Sequence, residues 1–194
     1  MAPPPEPREH VLADGTRIVV RALLPEDRDE LRERYVELSP RSRRLRFVSA
    51  PVQLSERLLD HLLDVDFDAR YAIVARLADE PGTPGVGIAR YARRADDPSI
   101  AEAAVTVLDG YQGRGIGTIL LTRLVEAART AGITTFVADV MWENHDLLGA
   151  LRNVGATVVP EEPGIAAVRV DLPPTVDGLR ESPLYEVMRT VVAT

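Results

Sequence analysis

The stretch GYQGRGIGT, residues 110–118, contains three glycines at alternate positions around a single arginine. It follows an apolar run at 100–108 and precedes a run at 119–131 in which leucine, valine and alanine recur at helical spacing. Glycine is costly to order, so a loop this rich in it indicates that something must approach the backbone closely. A strand, a glycine-rich turn and a helix together predict an anion site, because the first amide groups of a helix have no partner within it.

Three phosphate-binding patterns can be compared with this loop. The Walker loop requires Gly-x-x-x-x-Gly-Lys-Ser/Thr, and the loop has no lysine. The dinucleotide fingerprint Gly-x-Gly-x-x-Gly fails from either start, because Thr118 and Leu120 stand where its last glycine belongs. The pattern Gln/Arg-x-x-Gly-x-Gly/Ala is matched in full by Gln112, Gly115 and Gly117.

The matching pattern is the pyrophosphate signature of the GNAT superfamily of acyl-CoA-dependent N-acetyltransferases, which the chain resembles over residues 15–172. The resemblance implies an α/β GNAT fold: a central mixed sheet with a V-shaped splay between two parallel strands, flanked by helices. It places these strands at 100–108 and 133–140, with acetyl-CoA bound between them as cosubstrate and no metal. The cofactor-binding residues that it implies are the backbones of Val105 and Val107, the loop residues Gln112, Gly113, Arg114, Gly115, Ile116, Gly117 and Thr118, and Asn144 after the second strand.

The rest of the chain predicts the elements that such a sheet needs. Short turns make neighbouring strands antiparallel, whereas the strand–helix–strand unit from 100 to 140 requires a parallel crossover. Prolines predict a disordered tail at 1–9, before a single domain at 10–173 and a C-terminal helical extension at 174–194. In order, the predicted elements are a strand at 16–23, helices at 25–39 and 54–66, strands at 70–78, 85–93 and 100–108, a helix at 119–131, a strand at 133–140, a helix at 144–155 and a closing hairpin made of ATVVP and IAAVRVDL.

Glu102 is the candidate general base. It interrupts an apolar run, where a charge is unfavourable unless it faces a cleft. A lysine amine has a pKa of about 10.4 and arrives protonated, so a positioned carboxylate can take its proton directly or through one water. In lysine-modifying GNAT proteins a glutamate stands at this point of the strand. A solvated carboxylate at a strand start is the alternative. Asp139 on the next strand is either a second carboxylate facing the splay or an outward-facing strand residue, and the second interpretation is favoured.

The chain departs from the family at the general acid. The usual tyrosine, seven residues after the asparagine, is replaced by Leu151. A CoA thiolate is a tolerable leaving group, so an acid is not obligatory and the release step has no assigned residue. Tyr111 belongs to the phosphate loop, and His145 is interpreted as a surface residue at a helix start.

Three segments carry a narrower resemblance, to bacterial, chiefly actinobacterial, protein lysine acetyltransferases of the Pat type. They are LSPRSRRLRF at 38–47, the strand with Glu102, and ENHDLLGALRNVGA at 143–156. Those proteins also have an apolar residue in place of the tyrosine, and AMP-forming acyl-CoA synthetases are among their targets. Some carry a fused sensing domain, for which we expect no room in a chain of 194 residues. The arginines of 41–46 face CoA phosphates or a partner in one interpretation and solvent in the other.

Composition and charge limit which kinds of site, partner and location we expect. The absence of cysteine excludes disulfides and a cysteine nucleophile, so direct attack in a ternary complex is expected. A net charge of −7 argues against nucleic-acid binding. With no apolar run near the roughly 18 residues of a membrane span and no signal-peptide pattern, we expect a cytoplasmic protein without a membrane partner. Two alternatives to a protein lysine acetyltransferase stay open: a small-molecule amine N-acetyltransferase and a non-catalytic acyl-CoA-binding sensor.

Overall fold

Eight strands form one sheet in the computed structural model, which describes residues 2–46, 53–80, 82–153 and 155–174. The strands are β1 (Arg8–Val11), β2 (Arg17–Ala22), β3 (Arg70–Leu77), β4 (Gly85–Arg93), β5 (Ile100–Val107), β6 (Thr135–Met141), β7 (Thr157–Glu162) and β8 (Ile165–Asp171). The α-helices are α1 (Arg28–Glu37), α2 (Pro40–Arg46), α3 (Glu56–Leu63), α4 (Ile116–Thr130) and α5 (His145–Asn153), with 3₁₀ turns at Pro25–Asp27 and Asp109–Tyr111.

The sheet order is β1-β2-β3-β4-β5-β6-β8-β7. The first five strands run antiparallel in chain order, β5 and β6 are parallel, and β6, β8 and β7 are antiparallel again. The long α4 connects the two parallel strands, as a parallel crossover requires. The predicted mixed α/β sheet is therefore confirmed.

Different helices pack on the two faces of the sheet. The α4 face holds the main core, in which Ile116, Leu120 and Leu124 pack on the odd-numbered side chains of β3, β4 and β5. The other face packs against α1 and α3 through a second set of apolar residues that includes Tyr35 and Leu62. Because side chains alternate along a strand, each residue of β5 belongs to one of these two environments.

The structure corrects the start of α4. The sequence pattern predicts that this helix begins at residue 119, after the glycine-rich loop, but it begins at Ile116. Gly115, with φ of +86°, is its N-cap, and Ile116, Gly117 and Thr118 form the buried first turn. The physical reason is that glycines weaken helix propensity, whereas packing of Ile116 into the core stabilises the turn.

The chain ends also differ from expectation. Residues 1–9 were predicted to be a disordered tail, but β1 begins at Arg8 and the Ala2 amide donates to the Asp66 carbonyl at 3.0 Å. The expected C-terminal extension lies, apart from Pro174, outside the described residues, and the single domain at 10–173 stays a prediction. Within the described ranges, no helix has both the length and the apolar character needed to cross a membrane.

Candidate active site

The site forms where the two parallel strands separate. β5 and β6 pair at three positions only, from Ile100 to Glu102. Beyond Glu102, β5 continues to pair with β4 as far as Val107, while β6 continues to pair with β8 as far as Met141. The predicted V-shaped splay is confirmed, and Glu102 stands at its apex.

The backbone of β5 presents hydrogen-bonding groups to this splay. The Leu108 amide donates to the Val86 carbonyl at 3.0 Å, so its backbone faces β4. Backbone groups alternate in direction along a strand, and the β4–β5 register has no shift. Val105 and Val107 therefore direct their N–H and C=O groups into the splay, where the described chain supplies no strand partner. This is the geometry that pairing with an extended pantetheine arm requires, and the pairing itself stays a prediction.

A cavity of about 650 Å³ occupies the splay, a volume typical of small-molecule sites. Val105, Val107, Gln112 and Asn144 line it, whereas the other predicted loop residues, 113–118, are not among its lining residues. The role of all these residues in cofactor binding stays a prediction. Leu151 also lines it, at the position of the missing tyrosine, and supplies no hydroxyl.

The glycine-rich loop lies between β5 and α4, and its Gln112 lines this cavity. Gly113 and Gly115 both have positive φ, 76° and 86°, which explains why glycine is needed there. The Gln112 side-chain amide donates to the Val107 carbonyl at 3.1 Å and so ties the loop to β5. Arg114 is exposed, with its guanidinium 5.2 Å from the centre of the Tyr111 ring and 3.6 Å from Asp14. Exposed residues 113–115 precede the first turn of α4, and the amide groups at a helix start have no intrahelical partner and favour an anion.

Helix α2 connects the ends of the two splayed strands. Asp109, just after β5, accepts hydrogen bonds from the Ser39 amide at 3.0 Å and the Ser42 hydroxyl at 2.7 Å. Burial alone would raise the pKa of Asp109, but the hydrogen bonds from Ser39 and Ser42 hold it below its ordinary value. Arg44 pairs through two nitrogens with Glu143, just after β6, at 2.9 and 2.6 Å. The role of this arginine could not be read from the local sequence, because its partner lies 99 residues away.

Glu102 lies on the sheet face that α1 and α3 cover, with an exposed side chain. No hydrogen bond or ion pair joins its carboxylate to the described residues. The β5–β6 register puts Asp139 on the same face, also exposed, and charge repulsion from Asp139 raises the pKa of the nearby Glu161. The carboxylate at the apex is therefore accessible to a proton donor from solvent, which a general base requires.

Arg90 is a functional candidate that the sequence reasoning missed. It lies opposite Ala104, on the same face as Glu102, and only 7% of its surface is exposed. Burial lowers the pKa of Arg90, while the charges of Glu102 and Asp64 oppose that shift. The signal in the sequence was a charge at an inward position of an otherwise apolar alternating strand.

Comparison with known proteins agrees with this geometry. Residues 29–156 match the model of the Acetyltransferase (GNAT) family. The chain is 37% identical over 147 residues to Acetyltransferase PA5475 of Pseudomonas aeruginosa, covering 74% of this chain and 78% of that protein. It is 32% identical over 162 residues to Acetyltransferase Pat of Mycolicibacterium smegmatis, covering 82% of this chain but only 47% of that longer protein.

A solved structure gives the same result. The crystal structure of the GNAT domain of S. lividans PAT superimposes with a TM-score of 0.74 at 28% identity, covering 86% of this chain and 97% of that domain. The splayed parallel strands, the glycine-rich helix start and these relatives lead to one conclusion: the chain belongs to the GNAT family, whose members use acetyl-CoA, and is an acetyltransferase related to Pat.

Proposed function

We propose that this protein transfers the acetyl group of acetyl-CoA to the ε-amine of a protein lysine, with Glu102 as general base. The observation that carries the proposal is the exposed carboxylate of Glu102 at the apex of the splay, without a partner among the described residues. The relationship to Pat supports a protein acceptor and an AMP-forming acyl-CoA synthetase as the candidate target. A cytoplasmic location stays a prediction.

The cleft suits acetyl-CoA in two parts. The backbone groups of Val105 and the N–H of Val107 would pair with the pantetheine arm as a neighbouring strand would, while the Val107 carbonyl accepts from Gln112. The loop from Gln112 to Thr118 would hold the pyrophosphate on amide groups at the start of α4, with Arg114 adding positive charge. Asn144 lines the cleft from the head of α5 and completes the proposed cofactor site.

The reaction follows from these positions. Glu102 takes a proton from the lysine ammonium, directly or through one water, and the neutral nitrogen attacks the thioester carbonyl carbon. The Val105 amide, directed into the splay, stabilises the oxyanion that forms. The C–S bond then breaks, the nitrogen loses its second proton to the departing CoA sulfur or to solvent, and the amide and CoA are the products. Because the chain has no cysteine, no thiol nucleophile is available to form an acyl-enzyme.

The surface around Glu102, where we propose that the acceptor lysine approaches, carries negative charge. Glu102, Asp139 and Glu161 are exposed, and the sheet register puts Glu102 and Asp139 on one face. Such a surface attracts a lysine and its basic neighbours and repels acidic segments. A small-molecule amine is the alternative acceptor, and Leu151 in the cleft favours the further alternative of a non-catalytic acyl-CoA sensor.

Release of CoA thiol tests the proposal directly, because a chain without cysteine gives no background with a thiol reagent. Acetyl-CoA is mixed with an acyl-CoA synthetase, with polyamines or with free amino acids, and each reaction is repeated with Glu102→Gln. Asp139→Asn is the matched control, since it removes an exposed carboxylate from the same face.

We expect release with the synthetase, a fall of about 100-fold in Glu102→Gln, and a change of less than threefold in Asp139→Asn. Release of CoA only with a small amine would show that the acceptor is a small molecule and not a protein lysine. Equal rates for Glu102→Gln and the wild type would remove Glu102 as the base. Tight acetyl-CoA binding without release from any acceptor would favour the sensor.

A further inference from the structure

A second, narrower cavity lies on the opposite side of β5 from α4. Its volume is about 90 Å³, and it extends between the β4–β5 pair and the helices α1 and α3. Apolar side chains form most of its wall, including Leu31, Tyr35, Leu38, Leu62, Val86 and Ile88. We call this cavity the acyl slot because it lies beside the proposed position of the acyl group.

The acyl slot adjoins the acetyl-CoA cleft. Ala104 and Thr106 line both cavities. They flank Val105, whose amide is proposed to hold the thioester carbonyl. The acyl carbon therefore stands beside the boundary between the two cavities, and a longer acyl chain has the slot as its extension.

Arg90 brings a positive charge to the slot, and no carboxylate of the described residues forms an ion pair with it. Its guanidinium makes one long hydrogen bond, 3.4 Å to the His61 carbonyl, and no ion pair with the described residues. Arg76, which lines the other end of the slot, is paired with both Asp27 and Glu30. A buried charge without a counter-charge is unfavourable, so Arg90 is poised for an anion that enters the slot.

Distances and volume limit what that anion is. Arg90 and Ala104 are directly opposed in the β4–β5 ladder, which puts their Cα atoms about 5 Å apart. In an acyl group of four carbons, the terminal carboxylate carbon lies roughly 4 Å from the thioester carbon. A slot of about 90 Å³ has the volume of about three waters in the liquid, close to two methylenes and a carboxylate. Glu102, whose charge acts on Arg90 without an ion pair between them, is exposed and is not among the lining residues of the slot.

We propose that the acyl slot receives the distal end of a dicarboxylic acyl group, such as succinyl, and that Arg90 pairs with its terminal carboxylate. Arg90 is then a specificity-determining residue for the acyl donor. The chemistry is unchanged: the acceptor nitrogen bonds to the acyl carbon, the C–S bond breaks, and CoA leaves as thiolate. This proposal rests on the proposed placement of the thioester beside Val105, but not on the identity of the acceptor.

Binding without an acceptor tests it by titration calorimetry. Acetyl-CoA, butyryl-CoA and succinyl-CoA are titrated into the wild type, Arg90→Met and Arg90→Lys. Butyryl has the length of succinyl without its charge. Arg94→Met is the matched control, since Arg94 is an arginine just beyond β4, paired at 2.7 Å with Asp96.

We expect the wild type to bind succinyl-CoA at least 10-fold more tightly than butyryl-CoA. Arg90→Met should lose that preference and keep acetyl-CoA affinity within threefold, Arg90→Lys should keep part of the preference, and Arg94→Met should keep all of it. Equal wild-type affinities for succinyl-CoA and butyryl-CoA would overturn the proposal, even if Arg90→Met failed to fold. Failure of every thioester to bind would overturn the cleft assignment as well, whereas failure to find a lysine acceptor would touch only the proposed function.

Discussion

The glycine at the start of α4 permits a quantitative test of the phosphate loop. Gly115 has φ of +86°, and no atom lies within 4 Å of a Cβ built on it, so alanine there causes backbone strain but no clash. The left-handed conformation costs about 1–2 kcal/mol for alanine, and the lower entropy of the unfolded chain returns about 0.4–1 kcal/mol. We therefore expect Gly115→Ala to lower the free energy of unfolding by about 1 kcal/mol, or roughly 2–4 °C in melting temperature.

Gly132, at the other end of the same helix, is a matched control. Its φ is +79°, and a Cβ built on it also has nothing within 4 Å. Gly132→Ala should therefore lose the same stability. It lies away from the cleft, so its affinity for acetyl-CoA should stay at the wild-type value.

Affinity separates the two variants. In Gly115→Ala, either the new methyl group keeps the pyrophosphate away from the amide groups, or the loop relaxes and those groups turn aside. One lost hydrogen bond to a charged group corresponds to about 1.5–3 kcal/mol, roughly a 10- to 100-fold weaker affinity. Calorimetric titration with acetyl-CoA measures it. Equal affinities in the two alanine variants would refute the assignment of the loop to the pyrophosphate.

Three further predictions concern the clasp formed by Arg44 and Glu143, the core and the acid stability of the protein. Glu143→Gln breaks the ion pair with Arg44. Because the Glu143 and Arg44 side chains are 42% and 58% exposed, the free energy of unfolding should change by less than about 1 kcal/mol. The pair joins α2 to the chain just after β6, so stopped-flow measurement should show faster acetyl-CoA dissociation in the variant. Leu124→Ala removes a fully buried side chain that packs α4 on the sheet and should cost about 2–5 kcal/mol in urea unfolding. Burial alone would raise the pKa of Asp27, but hydrogen bonds from Arg21 and the Leu24 amide hold it below its ordinary value. Its stabilising contribution is therefore complete above the unfolded pKa, about 3.9, and is lost as pH falls through the lower folded pKa. The stability difference between wild type and Asp27→Asn, from urea unfolding between pH 7 and pH 2.5, should shrink only below about pH 4. A difference that stays constant down to pH 2.5 would contradict this.

The sheet could be predicted well because its signals are local. Apolar alternation, turn residues and the Gln112-x-x-Gly115-x-Gly117 pattern each lie within a few residues. From β2 onward the structure agrees on the chain order of the strands, and it agrees on the splay. The start of α4 was predicted too far along the chain, because core packing of Ile116 offsets the weak helix propensity of the glycines. The first strand was missed because residues 8–11 are stabilised by pairing with β2 rather than by their own sequence pattern.

What the sequence determined by itself was the local chemistry: bare backbone at Gly113 and Gly115, a carboxylate in the apolar strand at Glu102, and no thiol anywhere. Only the tertiary structure decided which groups meet. Sheet register puts Arg90 opposite Ala104, and folding brings Arg44 to Glu143 across 99 residues, so the slot and the clasp have no signature in any short segment. The physical reason is that side-chain type is a property of one position, whereas burial, pairing and cavity shape depend on contacts between elements distant in the chain.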